Sequence, residues 1–303
     1  MLRKTLLMVT CLLTLAGCIG TRSPDSAFGL RASADSDFIE RGRYLVYGPA
    51  HCAACHGDPA RDSEMRDGHE VPLSGGRTFD LGVGGTIIAP NITSDVATGI
   101  GALSDDVLVR SLRYGISRHG RPLAPFMSLG DLSDADLRAV LSFLRQLPPV
   151  THATPESRLS WLGAFGIHFL VDPQGPSAMP PKQLTPARSA EYGRYLANAV
   201  ANCRGCHTLR SKLTGAFTGT PFAGGMKLSE GGHTFTTPNL TSATGGVIAN
   251  CGERDFIARF RVEGRGRSGS PMPWGAFARM TDDDLGAIYR YLRSLPPAPM
   301  PDG

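Results

Sequence analysis

Two stretches of the chain repeat apolar residues at helical spacing. Leu137, Val140, Leu141 and Leu144 recur at i, i+3, i+4 and i+7, and so do Leu285, Ile288, Tyr289 and Leu292. Each stripe predicts one amphipathic helix. Ser133 and Thr281 open these helices as N-caps, each with aspartate three residues on in the manner of a capping box. Pro148-Pro149 and Pro296-Pro297 stop them. Shorter helices are predicted over 37–48 and 188–200, and middle helices over 104–114 and 253–263, with Ser104 capping the first of these. Gly- and Pro-rich loops fill the rest, and no convincing alternating strand separates the helices. The predicted class is mainly α.

The same elements occur twice. Gly42-Arg43-Tyr44-Leu45 precedes Cys52-Ala53-Ala54-Cys55-His56, and Gly193-Arg194-Tyr195-Leu196 precedes Cys203-Arg204-Gly205-Cys206-His207. Downstream, Gly75-Gly76 matches Gly224-Gly225, and Pro90-Asn91-Ile92-Thr93 matches Pro238-Asn239-Leu240-Thr241. The offset drifts only from 151 to 148 across the unit, so the chain is a duplicated domain, expected over 37–150 and 187–299. A linker over 151–186 holds Pro155, Pro173, Pro176, Pro180 and Pro181 and an apolar run from Trp161 to Val171. That run is too short to span a bilayer, which needs about 20 apolar residues, and is expected to pack across the two domains.

The N-terminus changes the picture from a plain globular chain to an exported one. Arg3 and Lys4 precede an apolar stretch, Thr5–Ala16, of signal-peptide length. Leu15-Ala16-Gly17-Cys18 resembles the lipobox of bacterial lipoproteins. The resemblance implies cleavage after residue 17 and acylation of Cys18, with the periplasmic face of a membrane as the location. Ile19 after the cysteine points by the same resemblance to the outer membrane rather than the inner. Residues 18–36 read as a flexible tether. Charge adds little: the net +4 falls to +2 once Arg3 and Lys4 leave, and scattered basic residues exclude a nucleic-acid footprint.

Seven cysteines include two C-x-x-C pairs, each followed directly by histidine. C-x-x-C-H is a c-type haem attachment signature. Two thiols on one helical turn reach the two vinyl groups at one edge of a porphyrin, and the next histidine faces the iron. Cys52, Cys55, His56, Cys203, Cys206 and His207 are therefore the candidate cofactor residues, for two covalent haem c groups. A zinc site would need four ligands in one cluster, and a redox dithiol does not need the histidine. Cys251 stands alone and reads as a buried thiol.

The sixth iron ligand separates electron transfer from catalysis, because a closed histidine–methionine site leaves no open position. Ser270-Pro271-Met272-Pro273-Trp274 resembles the Pro-Met-Pro ligand loop of the cytochromes, making Met272 the second ligand, with Met280 as the alternative. The matching loop of the first unit is three residues shorter and offers Met127, without a following proline. A bis-histidine haem through His119 or His233 is a further alternative. Asn91 and Asn239 hold a haem propionate or cap their turn, two readings that the sequence leaves open.

Taken together, these motifs resemble the cytochrome c subunits of bacterial membrane-bound dehydrogenases, over about residues 37–299. The resemblance implies two tandem class I cytochrome c domains, in which Gly42 and Gly193 let the last helix cross the first closely. It also implies a dehydrogenase as electron donor, a cytochrome or oxidase as acceptor, a lipid anchor in a membrane and no catalytic residue. Many such subunits carry three haem motifs, and this chain has two. The rival reading is a di-haem enzyme of peroxidase or thiosulfate dehydrogenase type, with one haem open at the Met127 position.

Overall fold

The computed structural model describes residues 29–123, 127, 129–169, 175–211, 215–230, 232–263 and 270–301. The leader, the lipobox and Cys18 lie outside the described residues, as does most of the loop around Met127. The fold is mainly α. In the first half, α1 (Ser36–Tyr47) leads into the one-turn α2 (Ala53–His56), followed by α3 (Asp62–Arg66), α4 (Asp105–Tyr114) and α5 (Asp134–Gln146). After α6 (Trp161–Phe169), the second half repeats the plan: α7 (Ala190–Tyr195), α8 (Cys203–Cys206), α9 (Glu253–Glu263), α10 (Trp274–Phe277) and α11 (Asp282–Ser294). The middle and final helices fall within a residue or two of their predicted bounds. The helix predicted over 188–200 is split, its last five residues forming a π-helical turn.

Close helix crossings organise both halves. A Cβ on Gly42 would lie 2.0 Å from the carbonyl oxygen of Ala139, and one on Gly193 would lie 1.9 Å from that of Ala287. No side chain fits at either position, so α1 seats directly on α5 and α7 on α11. Around these crossings sit Leu45, Leu137 and Leu141 in the first half and Leu196, Leu285 and Leu292 in the second, all essentially inaccessible to solvent. At about 25 cal/mol per Å² of apolar surface removed from water, such residues carry most of the stabilisation.

Four expectations need correction. Short strands do exist: β1 (Thr78–Asp80), β2 (Gly85–Ile88) and β3 (Arg158–Leu159) form an antiparallel sheet, and β4 (Lys227–Glu230) pairs with β5 (His233–Thr236). With two to four residues each, they are too short to display an alternation. Residues 29–35 are no free tether: Arg31 bonds Asp106 at 2.8 Å, Ala32 donates its N–H to Asp105, and Ser33 donates to the Ser142 hydroxyl. Ser104 stands at the start of α4, but its hydroxyl makes no capping bond. Lastly, the described part of α6 packs on the first half. Gly163 lets it press on Gly84 beside β2, and Trp161, Leu162 and Phe165 remain exposed. No described helix is long and apolar enough to cross a membrane.

The halves meet through a reciprocal contact that reuses the repeated tyrosine. Tyr44 donates to Asp284 at 2.5 Å and accepts the N–H of Thr281 at 3.3 Å. Tyr195 donates to Asp136 at 2.6 Å and accepts the N–H of Ser133 at 3.1 Å. The predicted capping boxes are thus half-built: Ser133 and Thr281 accept the N–H groups of Asp136 and Asp284. The two carboxylates turn instead to the tyrosine of the opposite half, which takes over the returning bond. Arg41 adds a charged link to Asp136 at 2.8 Å and another to the Tyr192 hydroxyl at 3.1 Å. Although burial alone would lower the Arg41 pKa, Asp136 holds its guanidinium charged.

Candidate haem sites

The two C-x-x-C-H segments fold alike. The residue ahead of the first cysteine is left-handed in both, with φ of +40° at His51 and +47° at Asn202. This kink turns the chain into a single helical turn that carries both thiols. Burial pushes the Cys52 and Cys203 thiols up to about 12, so both are protonated at neutral pH. All five described cysteines are free. Among the described residues no three His, Cys, Asp or Glu side chains gather in a metal-binding cluster, which leaves the zinc reading without a ligand set.

Each histidine is oriented by a backbone carbonyl. His56 Nδ1 bonds the Pro90 oxygen at 2.8 Å, and His207 Nδ1 bonds the Pro238 oxygen at 2.9 Å. A carbonyl only accepts, so Nδ1 carries the proton and Nε2 keeps its lone pair for a metal. Burial lowers the pKa of both rings, which favours the same neutral form. The repeated glycine pairs tie the backbone of each histidine beside its proline: Gly75 donates its N–H to the carbonyl oxygen of His56, and Gly224 to that of His207. Both glycines have positive φ, and a Cβ on either would collide with Pro90 or Pro238 within 2.6 Å. Only glycine fits this wedge.

The repeated asparagines cap their turns, which decides a point that the sequence leaves open. Asn91 accepts the N–H of Thr93 and donates to the Val150 oxygen at 2.8 Å. Asn239 accepts from Thr241 and donates to the Ala298 oxygen at 2.7 Å. Both are buried and engaged with backbone. They tie the segment after each final helix to the turn that orients the histidine. Neither the orienting carbonyls nor these ties were assigned from sequence, although the matched Gly-Gly and Pro-Asn positions marked the segments that supply them.

On the other face, Met127 Sδ lies 3.5 Å from His56 Nε2. The thioether sulfur and the Nε2 lone pair thus face one another, and the residues present fit a haem iron, which His56 and Met127 would hold between them. No comparable contact joins His207 to Met272 among the described residues. Met272 is half-buried against the core, its N–H bonded to the Ser270 hydroxyl at 3.3 Å. Met280, the alternative, is 2% exposed and belongs to the core. Trp274 packs on Phe260 and donates to Ser270 at 3.2 Å. His119 and His233 are exposed, the first taking a bond from Arg118 and the second meeting Phe235 edge to face. Cys251 is half-buried rather than fully enclosed.

Segments around the two sites also touch across the halves. Phe277 lies 5.4 Å from the His51 ring, edge to face. Arg66 bonds Glu230 at 2.5 Å and the Ser270 oxygen at 3.4 Å. A Cβ on Gly275 would meet the Arg66 carbonyl at 2.3 Å. The loop that precedes α10 in the second half is thus seated on the segment that follows the first haem motif.

Residues 190–296 match the family described as cytochrome c. A diheme cytochrome c-type protein of Cereibacter sphaeroides is 29% identical over 97% of this chain and 99% of its own length. The gluconate 2-dehydrogenase cytochrome c subunit of Pantoea cypripedii is 27% identical, over 86% of this chain and 60% of its own length. For the alcohol dehydrogenase (quinone) cytochrome c subunit of Gluconobacter oxydans the identity is 29%, over 94% and 60%. The chain spans about 60% of the length of these dehydrogenase subunits.

Proposed function

We propose that this chain, which matches the cytochrome c family over residues 190–296 and resembles a diheme cytochrome c-type protein over 97% of its length, is a cytochrome c that carries one haem c in each of two tandem class I domains. On this reading it relays electrons from a membrane-bound or periplasmic dehydrogenase to a cytochrome or oxidase. The observation that carries the proposal is the placement of Met127 opposite the lone pair of His56, at 3.5 Å. Bound there, haem supplies a one-electron Fe(III)/Fe(II) couple.

The chain's own residues hold that couple in place and close it. Cys52 and Cys55 tether the first haem, and Cys203 and Cys206 the second. His56 and His207 present Nε2, each fixed by a proline carbonyl; Met127 faces His56, and Met272 would be the matching ligand of the second site. A di-haem enzyme needs an open sixth position, and its best candidate was the first site. Met127 facing His56 supports the carrier over the enzyme.

Haem content tests the reading. Protein made with the cytochrome c maturation machinery should give two haems per chain in a pyridine haemochrome assay. Cys52→Ala/Cys55→Ala and Cys203→Ala/Cys206→Ala should each give one, and the combined variant none. Two haems persisting in either pair variant would sink the assignment.

The dehydrogenase names of the longer relatives support the donor class. For location, we propose that acylated Cys18 anchors the chain at the periplasmic side of the outer membrane. Several acyl chains on one residue give stable anchoring where one chain would not. Cys18→Ala should move the protein from the membrane fraction to the soluble fraction and abolish incorporation of labelled palmitate.

A further inference from the structure

The loop that offers Met272 is held by the half of the chain to which it does not belong. Within the loop, the Ser270 hydroxyl accepts the N–H of Met272 at 3.3 Å and the indole N–H of Trp274 at 3.2 Å. The Trp274 backbone N–H returns to the Met272 oxygen at 2.8 Å. These bonds shape residues 270–274 around Met272 but tie the loop only to itself. Arg66, the last residue of α3 in the first half, attaches it from outside. One Nη donates to the Ser270 carbonyl oxygen at 3.4 Å, the other to Glu230 at 2.5 Å, and Nε donates to Asp62 at 2.6 Å. A planar guanidinium presents its donors as a rigid fork, which suits three acceptors fixed in place.

Backbone packing fixes the same contact. A Cβ on Gly275 would lie 2.3 Å from the Arg66 oxygen, and one on Gly68 would lie 2.8 Å from the Gly275 oxygen. The turn after α3 and the start of α10 therefore meet main chain to main chain, and Arg279 donates to the Gly68 oxygen at 3.0 Å. Arg66 is itself anchored, because Asp62 also bonds Arg77. Burial alone would raise the Asp62 carboxyl, but the bonds from Arg66 and Arg77 hold it below the ordinary range. The row Arg77–Asp62–Arg66–Glu230 thus alternates in sign. It also borders the first haem motif: burial pushes the Cys55 thiol up, the Arg77 charge pulls it back, and Glu230 adds to the rise. The arrangement is not returned. No helix stands in the place of α3 among the described residues of the second half. The flanks of the Met127 loop lean on their own half, with Leu123 donating to the Gly115 oxygen at 2.7 Å and Leu129 to the Leu112 oxygen at 3.1 Å.

We propose that Arg66 is a positioning residue for the second haem: it holds the Ser270–Trp274 loop so that Met272 stays presented to that iron. The proposal rests on the reading of Met272 as the second sixth ligand. A methionine on a loop leaves its metal whenever the loop swings away, so what holds the loop sets the vacated fraction. A ligand from solution binds only the vacated form, and its apparent affinity scales with that fraction. The second haem therefore keeps its ligand set only while the first half is docked against its loop. The first haem has no such dependence on α3.

The test uses the ferric, haem-loaded full chain, with two haems per chain verified first by haemochrome and imidazole as the probe. In Met127→Ala the methionine charge-transfer band reports the second haem alone, and in Met272→Ala it reports the first. Adding Arg66→Gln to Met127→Ala should lower the imidazole concentration that halves the band about tenfold, as expected for the loss of a charged hydrogen bond. Adding it to Met272→Ala should leave the halving concentration within about twofold, although α3 belongs to the first half. Arg66→Lys, which keeps the charge without the fork, should recover part of the effect at the second haem. Arg61→Gln, which removes an ion pair with Glu64 at the head of α3, should stay within about twofold at both haems. An unchanged titration at the second haem overturns the proposal, and so does equal tightening at both haems, which would mean that Arg66 merely stabilises the first half. A Met127→Ala chain with two haems and no methionine band would instead show that Met272 is no ligand, removing the reading beneath the proposal and the proposal with it.

Discussion

Replacing Met127 with alanine should remove methionine ligation from one haem of two and leave the other intact. The charge-transfer band of methionine-ligated iron should fall to half, with high-spin character appearing in the same proportion. Pro90 fixes the His56 tautomer, so the Nε2 lone pair points at Met127 Sδ from 3.5 Å. A methionine partner to histidine raises the haem potential, so its loss should lower one midpoint by a substantial part of the roughly 0.8 V range that axial ligands command. Met272→Ala should do the same independently at the second haem, and the double variant should lose the band altogether. Met280→Ala should leave the spectrum alone. Its side chain is 2% exposed in the core, so the change should instead cost about 2–5 kcal/mol of stability in urea unfolding. A Met127→Ala protein with its full band would place the first sixth ligand elsewhere.

What could be read from the sequence was what repeats or recurs locally. The stripes Leu137–Leu144 and Leu285–Leu292 fix two helices because a 3.6-residue period is a property of neighbours along the chain. Duplication then doubled every other signal, so that Gly42 and Gly193 stood out by position before any packing was known. Contacts between distant residues have no such signature. Tyr44 and Asp284 are separated by 240 positions, and only the fold reveals that the capping aspartates answer to the opposite half. The orienting acceptors of His56 and His207 are backbone carbonyls, to which no residue type is specific. The apolar run at Trp161 misled because hydrophobicity states a preference for burial without naming what covers it: Gly163 seats the helix backbone, and Trp161 is left 78% exposed.

Removing the Tyr44 hydroxyl should cost more than removing the Tyr195 hydroxyl, although the two occupy matching positions. Tyr195→Phe leaves Asp136 bonded to Arg41 at 2.8 Å, so the expected loss is about 1 kcal/mol. Tyr44→Phe leaves Asp284, 5% exposed, without its side-chain donor. A buried carboxylate deprived of that bond should cost about 2–3 kcal/mol at neutral pH. Burial already raises the Asp284 pKa above the ordinary carboxylate value, while the Tyr44 bond and then Arg41 pull it back down. An acid whose folded pKa lies above its unfolded one stabilises the fold fully below the unfolded value, and that contribution is lost as pH rises through the folded pKa. Taking Tyr44 away raises the folded pKa further. The deficit of Tyr44→Phe should therefore be largest at pH 7 and shrink as pH falls through that raised value toward the ordinary carboxylate range. Urea unfolding of the haem-loaded protein across this interval measures it, and Asp284→Asn added to Tyr44→Phe should recover most of the loss at pH 7. A deficit independent of pH would mean that Asp284 is not the group left stranded. Because this contact joins the halves, the Tyr44→Phe protein should also show faster hydrogen exchange at the N-terminal turn of α11, where the Thr281 N–H loses its acceptor.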